Sequence, residues 1–245
     1  WLDRPGWRKD LHDAVAMARC SNPETLSGVV AWTYGFAIQH GVLRADDSVL
    51  RASEDAVQTA QSASSDRALG LAAYTLAVGL LTQDSAADRH RGLESMMQAR
   101  DIWLHKRALF LIPVTDLWAA RETARRGDRD AAIGAMRQAV DELRQAENLF
   151  YGGWGTGVLV ETLLERGTEG DLAEAQEAFD WLANLPDDGS AMREVTLLRL
   201  RALQARAYGD AAYRDLLVRY REMAKSLGYE GHIAWAEEMS SGGDR

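Results

Sequence analysis

Residues 152–157, Gly-Gly-Trp-Gly-Thr-Gly, have the composition of an anion-binding loop. Glycine lets backbone N–H groups come close to a phosphate, and a helix start aims several such groups and a positive dipole at one point. A phosphate loop also needs a lysine, and the nearest in sequence is Lys106. A dinucleotide fingerprint needs a preceding strand, which residues 147–150 do not supply. The stretch therefore reads as a tight helix start with Trp154 packed beside it. The five histidines, His12, His40, His90, His105 and His232, never stand four apart, and Cys20 is the single cysteine. Neither a His-Glu-x-x-His nor a Cys-x-x-Cys pattern is present, so no metal ligand is assigned. Nucleophilic triads assemble in space, but the Gly-x-Ser-x-Gly elbow is missing and Leu26-Ser27-Gly28 reads as packed helix. No catalytic or cofactor-binding residue is assigned.

Aromatic and arginine side chains offer a different chemistry, that of recognition. Trp32, Trp103, Trp118, Trp154, Trp181 and Trp235 fall at or near apolar helical faces. Such rings fill gaps between helices or anchor a partner. Arg121 and Arg125 are one turn apart and share a face with Trp118, a fork-bearing surface suited to carboxylates, although Glu122 and Asp128 make a solvated face the simpler reading. Arg199 and Arg206, seven apart, form a similar stripe. Met96, Met97, Ile102 and Trp103 make either a pliable binding surface or, at helical spacing, core. Trp118, Arg121, Arg125, Trp154 and Arg199 are the candidate partner-binding residues.

These residues must be positioned by helices. Leu11, Val15 and Ala18 share one face of a first helix over 7–20, and Asn22-Pro23 caps a second that ends at Gly41. Asp46 or Asp47 starts a third and Ser65 or Asp66 a fourth, Ala- and Gly-rich and read as buried. Further helices follow over 87–104, from Pro113 to Gly127, and over 129–147, 155–166, 171–185, 190–208, 210–227 and 230–239. A punctuation mark recurs through them: Gly41, Asp84, Gly127 and Gly170 are 43 apart, and Gly209 follows after 39. Seven residues before these marks stand Tyr34, Ala77, Ala120, Leu163 and Ala202, and nine after them Leu50, Leu93, Met136, Phe179 and Val218. A recurrence of this length predicts stacked helical hairpins, an all-α, right-handed α-solenoid of about six hairpins. Residues 1–239 are expected to form one repeat domain and 240–245 a disordered tail.

Net charge is −9, against non-specific nucleic-acid binding, which needs a basic surface. No apolar run approaches a membrane span. One cysteine permits no internal disulfide and fits a reducing cytoplasm. The first residue is Trp1 rather than Met, which reads as a piece of a longer polypeptide.

Two segments resemble known families. Residues 124–143, ARRGDRDAAIGAMRQAVDEL, resemble the inter-helix junction of a tetratricopeptide repeat (TPR): a small residue ends one helix, Gly turns, and an Asp-x-x-Ala start opens the next. Residues 206–228 repeat it loosely. The longer period is similar to the repeats of bacterial transcription activators and STAND-type ATPases. Residues 213–239, YRDLLVRYREMAKSLGYEGHIAWAEEM, resemble the closing segment of actinobacterial, mycobacterial-type multidomain proteins with a class III adenylate cyclase domain and a P-loop ATPase, some of them LuxR-type regulators. That resemblance implies a non-catalytic, TPR-like interaction or regulatory module of a larger signalling protein. Its partners would be a protein, a peptide or upstream domains of the same polypeptide, with no nucleic acid, membrane or cofactor bound by this chain. Two other readings stay open: a small-molecule-sensing helical-repeat domain of a transcriptional regulator, and an enzyme in its own right.

Overall fold

In a computed structural model the described residues, 4, 6–186 and 189–241, form helices and no strand. Contacts cluster into two compact units, Trp1–Glu122 and Thr123–Arg245. The helices are α1 (Trp7–Ala18), α2 (Pro23–Val30), α3 (Phe36–Gln39), α4 (Asp47–Ser62), α5 (Asp66–Leu81), α6 (Ala86–His105), α7 (Ile112–Arg125), α8 (Arg129–Gln145), α9 (Leu149–Arg166), α10 (Glu169–Ala183), α11 (Ala191–Ala207), α12 (Tyr213–Leu227) and α13 (Glu230–Ser241). A π-turn over Ala31–Gly35 joins α2 to α3, and a 3-10 turn over Leu109–Leu111 precedes α7. Among the described residues no helix is long and apolar enough to cross a membrane.

The helix starts follow from short polar side chains that take up orphan N–H groups. The Asn22 side chain accepts from Thr25 with Pro23 following, Asp46 accepts from Ser48 and Val49, and Ser65, Ser85 and Asp128 each cap the helix after them. Thr168 and Asp171 form a reciprocal capping box, which starts α10 at Glu169, two residues earlier than expected. Hydrogen bonding by the Arg166 guanidinium holds the Asp171 carboxyl well below the usual carboxylate range.

In the first unit α5 is central and packs against α2, α4 and α6. Its small residues make room for large neighbours. A side chain at Gly70 would strike Trp103, and one at Gly79 would strike Leu50. In the second unit α9 packs against α8, α10 and α11, and α12 against α11 and α13. In both units successive helices pack on one another, and α2 also meets α4 in the first unit and α9 meets α11 in the second. Ion pairs join the repeated elements at a constant sequence separation: Glu54 of α4 with Arg91 of α6 at 3.1 Å, and Arg137 of α8 with Glu174 of α10 at 2.7 Å. Exposed pairs of this kind contribute little stability but mark the register.

The expected recurrence tracks the core on one side only. Tyr34, Ala77, Ala120, Leu163 and Ala202 are all buried. Of the other set Met136 and Phe179 are buried, Leu50 and Leu93 are half-buried and Val218 is exposed. Gly170 is not a junction, because it lies in the first turn of α10; the left-handed residue is Gly167, at φ 72°. A second set of junctions was hidden between the first. Ser64, Arg107 and Glu147 also adopt positive φ, of 53°, 56° and 54°. Each is followed by an N–H that reaches back across the helix end, Ser65 to Ala60, Ala108 to Trp103 and Asn148 to Leu143, the bond that satisfies a terminal carbonyl. Turns therefore recur at about half the period of the glycine marks.

At the other end, α13 runs to Ser241, so Ser240 and Ser241 are helical, each donating to the carbonyl four residues back. The rest of the expected tail, 242–245, lies outside the described residues, as does Trp1.

His40 closes α3 with its Nε2 sealed from solvent, although the residue as a whole is half-buried. Burial pushes the imidazole down to about 3. The folded chain therefore keeps His40 neutral where the unfolded chain protonates it. The stabilisation is complete above the ordinary histidine value and is lost as pH falls from about 6.5 towards the folded value. Between those limits His40 contributes a slope of about 1.4 kcal/mol per pH unit. His40→Gln is expected to remove that slope when urea midpoints are compared at neutral and mildly acid pH. Identical pH profiles for both proteins would rule it out.

Candidate functional site

The site most suited to recognition lies on the first unit, along α6. Gly92, Met96, Ala99 and Trp103, at positions i, i+4, i+7 and i+11, are buried. A side chain at Gly92 would strike Leu80 and Leu81 of α5, and Trp103 lies against Gly70 and Tyr74. Leu93 and Met97 stand one position further round the helix, about 100° away, and remain half-buried. With Ile102 and Leu69 of α5 they line an open groove of about 660 Å³. Exposed carboxylates form its rim: Asp66, Glu94 and Asp101. Asp66 is paired with Lys106 at 2.8 Å, which lowers its pKa, and Glu94 faces His90 at 3.5 Å. α7 is tied to α6 by Arg100 with Asp116 at 2.6 Å and by Arg89 with Glu122 at 3.3 Å. An apolar floor under an acidic rim holds apolar side chains flanked by cations.

The set Met96, Met97, Ile102 and Trp103 therefore divides. Met96 and Trp103 are core, while Met97 and Ile102 reach the groove. The contribution of Leu69, Leu93 and Asp101 was missed, although a second apolar line beside the first on α6 was readable.

Two of the five predicted partner-binding residues, Trp118 and Arg199, are enclosed by the fold. Trp118 is only 1% exposed, so its ring is not presented as an anchor. Arg121 lies over that ring, 5.5 Å from its centre. Arg125 is exposed and Trp154 half-buried. Arg199 does not form a surface stripe with Arg206: its side chain is 12% exposed and paired with Glu161, whereas Arg206 is exposed. The Arg199 guanidinium also lies 4.3 Å from the centre of the Trp235 ring. Beside it the buried Tyr220 hydroxyl and His232 Nδ1 share a hydrogen bond of 2.9 Å.

The glycine-rich stretch does not open a helix. α9 starts at Leu149, capped by Asn148, and the glycines sit in its interior. Burial of Gly152, Gly155 and Gly157 brings α9 close to its neighbours: Leu143 and Trp181 stand near Gly152, Leu182 near Gly153 and Leu200 near Gly157. Arg144 stacks on Trp181 at 3.9 Å and donates to Thr156 at 3.1 Å in the same region. The N–H groups that would have held an anion are spent in the helix ladder.

Among the described residues no group of three His, Cys, Asp or Glu side chains is placed to hold a metal ion. The described residues form an all-α protein with an acid-rimmed apolar groove on its first unit. Neither a family model, nor a curated protein, nor a solved structure matches the chain.

Proposed function

We propose that the chain is a non-catalytic, TPR-like helical-repeat module, a right-handed solenoid, that binds a protein, a peptide or other domains of the same polypeptide. The observation that carries this reading is the packing of successive helices along the chain within both units, α4 on α5 and α5 on α6 in the first, and α8 through α13 in turn in the second. Repeats joined only to their neighbours present long continuous surfaces, and burying such a surface is their usual work. The similarity of residues 213–239 to multidomain signalling proteins supports a place beside cyclase and ATPase domains in the cytoplasm.

An unbiased displayed-peptide library, selected against the whole chain and followed by calorimetry on synthetic peptides, tests the reading. Saturable 1:1 binding of a selected peptide is the expected result. Failure to select any peptide, together with no binding of separately expressed cyclase and ATPase domains, would overturn it.

A further inference from the structure

We propose that the groove along α6 takes a basic amphipathic helix of a partner polypeptide, an inference that rests on the interaction reading above and names the partner's chemistry. The floor is apolar and adaptable. Leu93 and Met97 are one turn apart, Leu69 and Ile102 close the far wall, and the Met97 thioether can adjust to different side chains. From His90 to Ile102 the groove follows α6 for about 18 Å, at the helical rise of about 1.5 Å per residue. That length matches about three turns of a docked helix, which would offer apolar residues at i, i+4 and i+7.

The rim decides the sign of the partner. Glu94 and Asp101 stand on the same exposed edge of α6, and Asp66 faces them from α5. Asp101 has no basic partner among the described residues, and Glu94 has only the His90 ring. Lysine or arginine residues flanking the apolar stripe of the incoming helix would meet these carboxylates. A glutamate-flanked helix, or the phosphates of a nucleic acid, would be repelled by them. The net charge of −9 favours the approach of a cationic segment over longer distances.

The test uses the whole chain and two labelled helical peptides with the same leucine pattern, one flanked by Lys and Arg, the other by Glu. Fluorescence anisotropy reads binding, and hydrogen exchange reads its location. The basic peptide is expected to bind and to protect residues 90–102. Affinity is expected to fall about tenfold or more in Glu94→Lys/Asp101→Lys, and to weaken steeply at high salt, where screening cuts the Debye length to about 3 Å. Met97→Glu, in the floor, is expected to weaken it as strongly. All three positions are at least partly exposed, so circular dichroism should show each variant folded. Equal binding of the acidic peptide, or indifference to the double charge reversal, overturns the proposal while the interaction reading stands. Failure of both peptides also overturns it, and the unbiased library then decides the interaction reading separately.

Discussion

Replacing Gly92 by valine is expected to destabilise the first unit by about 3 kcal/mol, and replacing it by alanine by about 1–2 kcal/mol. The direction is opposite to helix propensity, which favours alanine over glycine by about 1 kcal/mol in a helix interior. Packing decides. A Cβ at position 92 would lie 3.0 Å from Leu80 Cβ, from Leu81 Cγ and from the Leu81 backbone nitrogen. Only the Leu81 Cγ contact could relax; Leu80 Cβ is fixed by its backbone and the Leu81 nitrogen is main chain in the last turn of α5, so α5 and α6 must move apart. Gly134 provides the control. It is exposed in the middle of α8 with nothing within 4 Å of an added Cβ. Gly134→Ala should therefore stabilise the chain by about 0.5–1 kcal/mol. Thermal melts distinguish the two, since about 1 kcal/mol moves the midpoint by about 2–4 °C in a chain of this size. A Gly92→Ala protein as stable as the parent would show that α5 and α6 do not approach this closely.

Arg199→Ala is expected to cost about 3 kcal/mol, and Glu161→Leu a similar amount. The pair joins α9 to α11 with side chains only 12% and 17% exposed. Removing one partner leaves the other charge poorly solvated, and that penalty exceeds the net worth of the pair. Arg199→Ala also strips the stacked guanidinium from Trp235. The double variant Arg199→Met/Glu161→Leu is expected to recover most of the loss, because apolar side chains of similar volume need no desolvation. Urea denaturation of Arg199→Met, Glu161→Leu and the double closes the cycle. Additive losses would mean that the two charges are independently solvated and not coupled.

Much of the local structure was legible in the chain. Asn22-Pro23, Asp46, Ser65 and Asp128 announced their helices, because a short polar side chain answers the same unsatisfied N–H groups wherever a helix begins. The burial of α5 was legible in its Ala- and Gly-rich composition. The half-period turns at Ser64, Arg107 and Glu147 were not, since these residue types give no sign of positive φ. The glycines of α9 were misread as a helix start because glycine serves both loop freedom and close packing. Only the neighbours Leu143, Trp181, Leu182 and Leu200 reveal which use applies.

The candidate residues show the same division. One arginine pattern, with spacings of four and seven, describes both Arg125, which is exposed, and Arg199, which is enclosed. Helical periodicity assigns side chains to a face but does not say what the face meets. By itself the sequence determined an all-helical chain, its caps and a core stripe repeating through it, because those depend on interactions within a few residues. The tertiary structure alone decided that Trp118 and Arg199 are enclosed while Leu93, Met97 and Asp101 line an open groove, because exposure is set by which helix packs against which.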